Sequence, residues 1–298
     1  MKRKIVQHGP STLTVSLPAA WVRDYALKKG DEISVERTRS GLLLAADKER
    51  SHGKKRINVS GFPAIIPKTI AALYKCGYDE IIIEFDDPVE LERIHTAVST
   101  SYVGFEIIEE TKNEVIIKRV SEPSGEEFKS LFRRIFHFLR STAEEGLEAA
   151  TRRDTALHQK LVLRDKTINK LTTFCRRTVN KGMQQEYEYD TALYHVLEQL
   201  EKIGDDYRDI HKHLMDTGQR LSKPTINLYH QVNALLAYYE DLFFSLSLEK
   251  VNRFFEHYED VLALQRKGSD DDVSVRYFLY SIARELYNLS GVTMMLHL

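Results

Sequence analysis

Residues 17–35, Leu17-Pro-Ala-Ala-Trp-Val-Arg-Asp-Tyr-Ala-Leu-Lys-Lys-Gly-Asp-Glu-Ile-Ser-Val35, decide how this chain begins. Pro18 opens a predicted helix over 19–28, and Gly30 follows its end, the expected asymmetry of helix termini. Ala20, Trp21, Tyr25 and Leu27 give that helix a partial apolar face. Alternating strands flank it at 12–17 and 32–37, with further strands at 4–7 and 42–46. The turns between them carry His8-Gly9-Pro10-Ser11 and Ser40-Gly41. The order is β-β-α-β-β, on a segment too short to bury a core of its own.

Working outward, a polar linker at 48–55 leads to a second region, 55–120. Strands are predicted at 56–60, 80–85, 104–109 and 114–119, and helices at 66–76 and 88–100. Ile81-Ile82-Ile83 reads as a buried strand, Gly77 as a helix terminator and Asn113 as the turn of a last hairpin. The turn cluster Ser121–Gly125 opens a third region, 125–298, which is all helix by its apolar periodicity. Its helices are marked by Phe128/Phe132/Leu139, Leu161/Ile168/Val179, Leu193/Leu200/Tyr207, Val232/Leu236/Phe243, Phe254/Val261 and Phe278/Leu289. Gly218 and Pro224 break the series after the third helix, so three helices precede the break and three follow. The expected fold class is α+β multidomain: a β-rich head over 1–48, a small α/β middle domain over 55–120 and an all-α domain over 125–298.

Charge is unevenly divided. The chain carries 43 Lys/Arg and 44 Asp/Glu, yet residues 1–54 hold eleven basic and six acidic side chains. A basic head on an acidic body suits a polyanionic partner; a solvated basic face is the alternative. Cys76 and Cys175 are far apart and read as free thiols of a reducing compartment. No apolar run is long enough for a membrane span. No apolar signal core follows Lys2-Arg3-Lys4 either, so a cytoplasmic protein without membrane insertion is expected.

Few motifs carry chemistry. There is no phosphate-binding Gly-rich loop, no nucleophile turn and no zinc-type His spacing, which argues against an enzyme. In the helical region Glu201 and Asp205 stand four apart on one face, and Asp165 falls on the apolar face of the preceding helix. A carboxylate there needs a partner. Facing carboxylates can bind a cation, or they can pair with Lys166, Lys170, Arg176 or Lys202.

Two resemblances follow from these residues. Leu17-Pro18, the aromatic-bearing helix, Leu27, Lys29-Gly30-Asp31 and the strand after them resemble the AbrB/MazE/SpoVT swapped-hairpin DNA-binding domains. That resemblance implies a homodimer with interleaved hairpins and contact with duplex DNA through Lys2, Arg3, Lys4 and Arg23. The stretch Leu-Glu-Lys-Ile-Gly-Asp-Asp-Tyr-Arg-Asp-Ile (200–210) resembles the metal motif of the PhoU family, which is built from two three-helix bundles. It implies a divalent or ferric metal ion held by Asp165, Glu201 and Asp205. Leu161 replaces an acidic residue of that pattern, and Ala283 and Tyr287 stand where a second copy of the motif would carry acids. The three regions together resemble archaeal PhoU-like regulators with an AbrB-type domain. They imply a DNA-binding transcriptional regulator of phosphate uptake. The alternatives are a signalling adaptor for a phosphate transporter or regulatory kinase, with the head serving only dimerisation, and an antitoxin.

Overall fold

The computed structural model describes residues 2–37, 41–46, 53–121, 125–184, 186–266 and 272–298. Ser40 of the second turn, the linker residues 48–52 and residues 122–124 of the turn cluster lie outside these. The chain divides into two compact units, Met1–Lys54 and Lys55–Leu298.

The first unit has the expected β-β-α-β-β order. Strand β1 (Val6–His8) pairs antiparallel with β2 (Thr12–Thr14), and β3 (Ile33–Arg37) with β4 (Leu42–Ala46), in two separate ribbons. Helix α1 is shorter than the sequence suggests, Ala19–Asp24 rather than 19–28. It ends because Ala26 takes the left-handed backbone (φ 47°), while Ala26 N donates to Arg23 O and Leu27 N to Val22 O. This is the paired closure that usually has Gly at its left-handed position. Gly30 (φ 94°) instead serves the next turn, where Asp31 N donates to Lys28 O and Asp31 Oδ2 accepts from Lys28 N.

In the second unit, a four-stranded sheet of order β5-β6-β8-β7 is formed by β5 (Lys54–Asn58), β6 (Glu80–Glu84), β7 (Phe105–Glu110) and β8 (Glu114–Arg119). Strand β8 pairs antiparallel with both β6 and β7. Helices α2 (Ile66–Lys75) and α3 (Pro88–Ser101) pack with the sheet over Ile70, Tyr74, Ile81, Ile83, Ile94 and Ile117, all essentially excluded from solvent. Asp87 and Glu90 close a capping box at the start of α3. Glu90 is itself buried, and the Asp86 amide first, then those of Asp87 and Gly61, hold its carboxyl below the usual range. Gly77 (φ 94°) terminates α2 as expected.

Six long helices complete the unit: α4 (Gly125–Arg152), α5 (Thr155–Asn180), α6 (Asp190–Thr217), α7 (Lys223–Phe244), α8 (Leu248–Arg266) and α9 (Val273–His297). Two of them, α4 and α6, reach 28 residues each. With a rise of about 1.5 Å per residue, each spans roughly 42 Å. Helices α4–α6 pack mutually as one three-helix bundle and α7–α9 as another, joined where α6 meets α9 and α4 meets α7. A single core runs through both bundles and includes Phe132, Phe136, Leu200, Tyr239 and Phe243. Gly218 (φ 60°) caps α6. Ser222 caps α7, with Pro224 in its first turn.

The middle sheet and the bundle are not independent. Helices α2 and α3 pack on α5, and Arg177 of α5 is almost fully buried. Its guanidinium donates to Tyr74 O and Tyr78 O, each at 2.9 Å, and to Asp79 at 2.7 Å, and it lies over the rings of Tyr74 and Phe105. Lys181 and Arg119 also reach Asp79. No helix among the described residues is long and apolar enough to cross a membrane.

Candidate nucleic-acid interface and carboxylate cluster

Lys2, Arg3 and Lys4 run directly into β1, whereas Arg23 stands in the last turn of α1. All four are exposed, and none has a carboxylate partner among the described residues. One chain thus leaves four free cations on two separate elements. The apolar residues of the same unit are equally uncovered. Ile5, Leu13 and Leu42 are 69%, 68% and 69% exposed, and Val6, Val15 and Val35 are exposed as well. No described residue of Met1–Lys54 is buried. Alternating strands with an open apolar face lack the surface that such faces are built to meet.

In the helical region the three carboxylates meet arginines. Asp165 is 5% exposed; its Oδ2 accepts from Asn169 at 3.1 Å and from Arg208 Nη1 at 3.2 Å, while Oδ1 has no partner. The same Arg208 Nη1 donates to Asp205, and Arg208 Nε to Asp209 at 2.9 Å. Burial raises the Asp165 carboxyl above its ordinary range, with Arg208 opposing that shift. Burial alone would weaken the Arg208 cation, but Asp209, Asp205 and Asp165 outweigh it and raise its pKa. Gly204 lets α5 and α6 approach here: a Cβ would stand 3.3 Å from Ile168 and 3.6 Å from Asp165 Oδ1.

Glu201 is elsewhere on the same interface. It pairs with Arg176, which is buried, and accepts from Thr172 at 3.3 Å. The structure therefore brings Asp165 and Asp205 together across a shared arginine and gives Glu201 its own. Among the described residues no group of three or more His, Cys, Asp or Glu is placed to hold a metal ion. The expected ligand set does not fit a metal as arranged, because Arg208 and Arg176 already supply the positive charge at those oxygens. Arg176 was among the partners that spacing allowed. Arg208 was not, although it stands three residues beyond Asp205, within reach on a helix.

Other polar groups had no local signal in the sequence. Arg164 binds both oxygens of Glu145 at 2.7 and 2.9 Å. His158 and His211 meet through their Nδ1 atoms at 3.1 Å, both buried, from positions 53 residues apart. Asp206 is pushed up to about 6 by burial and by Asp209, Asp205 and Glu285, against a hydrogen bond from Ser281.

Residues 6–51 match the family of antidote-toxin recognition MazE, bacterial antitoxin. Among solved structures, a PhoU-like protein from Shewanella oneidensis MR-1 is similar, with 16% identity and a TM-score of 0.38, over 56% of this chain and 94% of that one. A PhoU-like phosphate regulatory protein from the same organism gives 15% identity and a TM-score of 0.34, over 56% and 93%. No curated protein matches the chain. The MazE match covers less than half of the chain and so describes its head alone: the head is a MazE/AbrB-type domain.

Proposed function

We propose that the chain is a DNA-binding transcriptional regulator that dimerises through its head and carries a sensory or partner-binding helical tail. The observation that carries this reading is the head itself: four basic side chains without a carboxylate partner among the described residues, on a unit whose described apolar residues are exposed. A second copy covers that surface, and the two-fold axis then presents Lys2, Arg3, Lys4 and Arg23 in duplicate to duplex DNA. Phosphate contacts supply affinity and base contacts supply choice of sequence. The phosphate-uptake part of the reading rests on the resemblance of residues 200–210 to the PhoU motif.

The Asp165–Arg208–Asp205 cluster is best read as a charge-paired joint between α5 and α6. Stoichiometric metal in the purified chain, lost in Asp165→Asn, would restore the ligand role of Asp165, Glu201 and Asp205.

DNA binding measured by fluorescence anisotropy over a salt series tests the main reading. The affinity for a phosphate-uptake promoter falls steeply with salt, and Arg3→Ala or Lys4→Ala each reduces the log–log slope by about 1. Salt-independent or absent retention of DNA refutes it. Absent retention together with capture of a phosphate-transporter ATPase or regulatory kinase favours the adaptor role, with the head as a dimerisation clamp only.

A further inference from the structure

The turn joining α4 to α5 covers a cavity of about 380 Å³. That is near the small end of ligand-pocket sizes. Its walls include Arg152, Arg153, Thr155, His158 and Gly218, and among the described residues no carboxylate lines it. Arg153 donates to Gly218 O at 3.0 Å, which pins its guanidinium beside the cavity. Other N–H groups of the same fork remain available. Arg152, whose side chain is largely exposed, pairs with Glu148 at 2.5 Å. Asp154 is turned to capping, accepting from Leu157 N at 2.9 Å. The first amides of α5, those of Thr155 and Ala156, have no acceptor within the helix.

His158 is the decisive residue. It is only 3% exposed and lines the cavity, and its Nε2 has no partner among the described residues. Its Nδ1 is held by His211 Nδ1 at 3.1 Å. In a neutral pair one ring therefore donates and the other accepts. The Nε2 of His211 is buried without a partner. Were His158 the donor, that orphan would be an N–H; were His211 the donor, it would be a lone pair, the cheaper atom to leave unmet. The second arrangement places a proton on His158 Nε2. A neutral His158 then already offers an N–H donor to the cavity, next to two guanidinium groups and a threonine hydroxyl.

We propose that this cavity binds a small tetrahedral oxyanion, either free phosphate or the phosphate group of a monoester, through Arg152, Arg153, Thr155 and His158 Nε2–H. Arginine forks match such anions in shape and charge. The charged groups around His158 are Arg152, Arg153 and Asp154 from the turn, and His211 from α6 with Arg164 behind it. Burial lowers the pKa of His158, with Asp154 opposing. The ring therefore binds in its neutral form, since a proton on Nδ1 as well would face the N–H of His211.

Equilibrium dialysis of the full chain against labelled inorganic phosphate, with sulfate and glycerol phosphate as competitors, tests this site without DNA. It therefore succeeds or fails independently of the role proposed for the head. Saturable binding is expected. Arg153 has a left-handed backbone (φ 59°). Arg153→Asn keeps a residue that tolerates this conformation and weakens binding about tenfold or more. Arg152→Gln, on an exposed side chain that leaves folding intact, weakens it several-fold. Stronger competition by glycerol phosphate assigns the site to monoesters, and weaker competition assigns it to the free anion. Absence of saturable binding at millimolar phosphate overturns the proposal. So does binding that Arg152→Gln leaves unchanged.

Discussion

The head and the helical bundle use the same raw material to opposite ends. Both place apolar residues at regular intervals along their elements. In the bundle, Phe132, Leu200, Tyr239 and Leu286 are all but excluded from solvent; in the head, Leu13 and Leu42 are more than two-thirds exposed. The difference lies in closure. Long helices in two packed bundles surround their own apolar stripes. Two ribbons and a short helix cannot, because a two-stranded ribbon has no second layer to bury its face. The bundle is complete within one chain. The described apolar residues of the head stay exposed, whereas those of the bundle form a core.

Charging the exposed face of the head is the strongest way to break that contrast. If the head were finished in one chain, Leu13→Asp would be nearly neutral, since Leu13 is 68% exposed. If a second copy covers it, each partner loses about 1.5–3 kcal/mol of burial, or roughly 3–6 kcal/mol per dimer. Sedimentation equilibrium should then show loss of dimer, with DNA retention lost in parallel and the thermal transition of the helical unit unmoved. A dimer unaffected by Leu13→Asp would end the comparison.

The next largest effect belongs to the joint between the middle sheet and α5. Arg177→Ala removes a buried guanidinium, takes the Arg177 donor from Tyr78 O and leaves Tyr74 O with the Gly77 amide alone. Lys181 and Arg119 still neutralise Asp79. The loss is therefore set near the lower end for buried pairs, about 3 kcal/mol. Urea unfolding should show that loss. A variant in which the sheet melts separately from the bundle would show that Arg177 also makes the second unit cooperative.

Acid should also separate the two regions. Burial first, then His158 and Arg164, push His211 down to about 3. The unfolded chain takes up a proton near its ordinary pKa of about 6.5 while the folded one refuses it until far lower pH. Stability is therefore full above about pH 6.5 and declines as pH falls toward 3, by up to ~1.4 kcal/mol per pH unit for this ring. By pH 5 the helical unit should be weaker by about 2 kcal/mol from His211 alone, and His211→Gln should flatten the profile.

What the sequence made legible divides along the same line. Strand and helix order followed from periodicity throughout, and Gly77, Gly218 and Pro224 marked real boundaries. Local chemistry misled at α1, where Gly30 looked like the terminator but Ala26 adopts the left-handed backbone. Asp165 was legible as a carboxylate in need of a partner because it interrupts an apolar stripe. Its partner was less so, because Arg208 lies on the next helix and the choice between cation and metal depends on side-chain reach. Arg177 to Asp79 and His158 to His211 span 98 and 53 residues, and no periodicity encodes such pairs.

Two glycines give the smallest effects and the finest test of close packing inside the bundle. In a helix interior, Gly→Ala gains up to about 1 kcal/mol from backbone entropy if the methyl has room. At Gly146 it has none: a Cβ would lie 2.5 Å from both His211 Cε1 and Tyr229 Oη. Neither ring can withdraw without opening the α4–α6–α7 contact, so Gly146→Ala should cost about 1–2 kcal/mol net of the helix gain. At Gly291, on the exposed side of α9, nothing stands within 4 Å of the new methyl. Gly291→Ala should therefore stabilise by about 0.5–1 kcal/mol, read as a small rise in Tm. Opposite signs for the same substitution would place the tight packing at the histidine pair. Equal signs would mean that the rings beside Gly146 have room to move, and that this part of the bundle is looser than its distances imply.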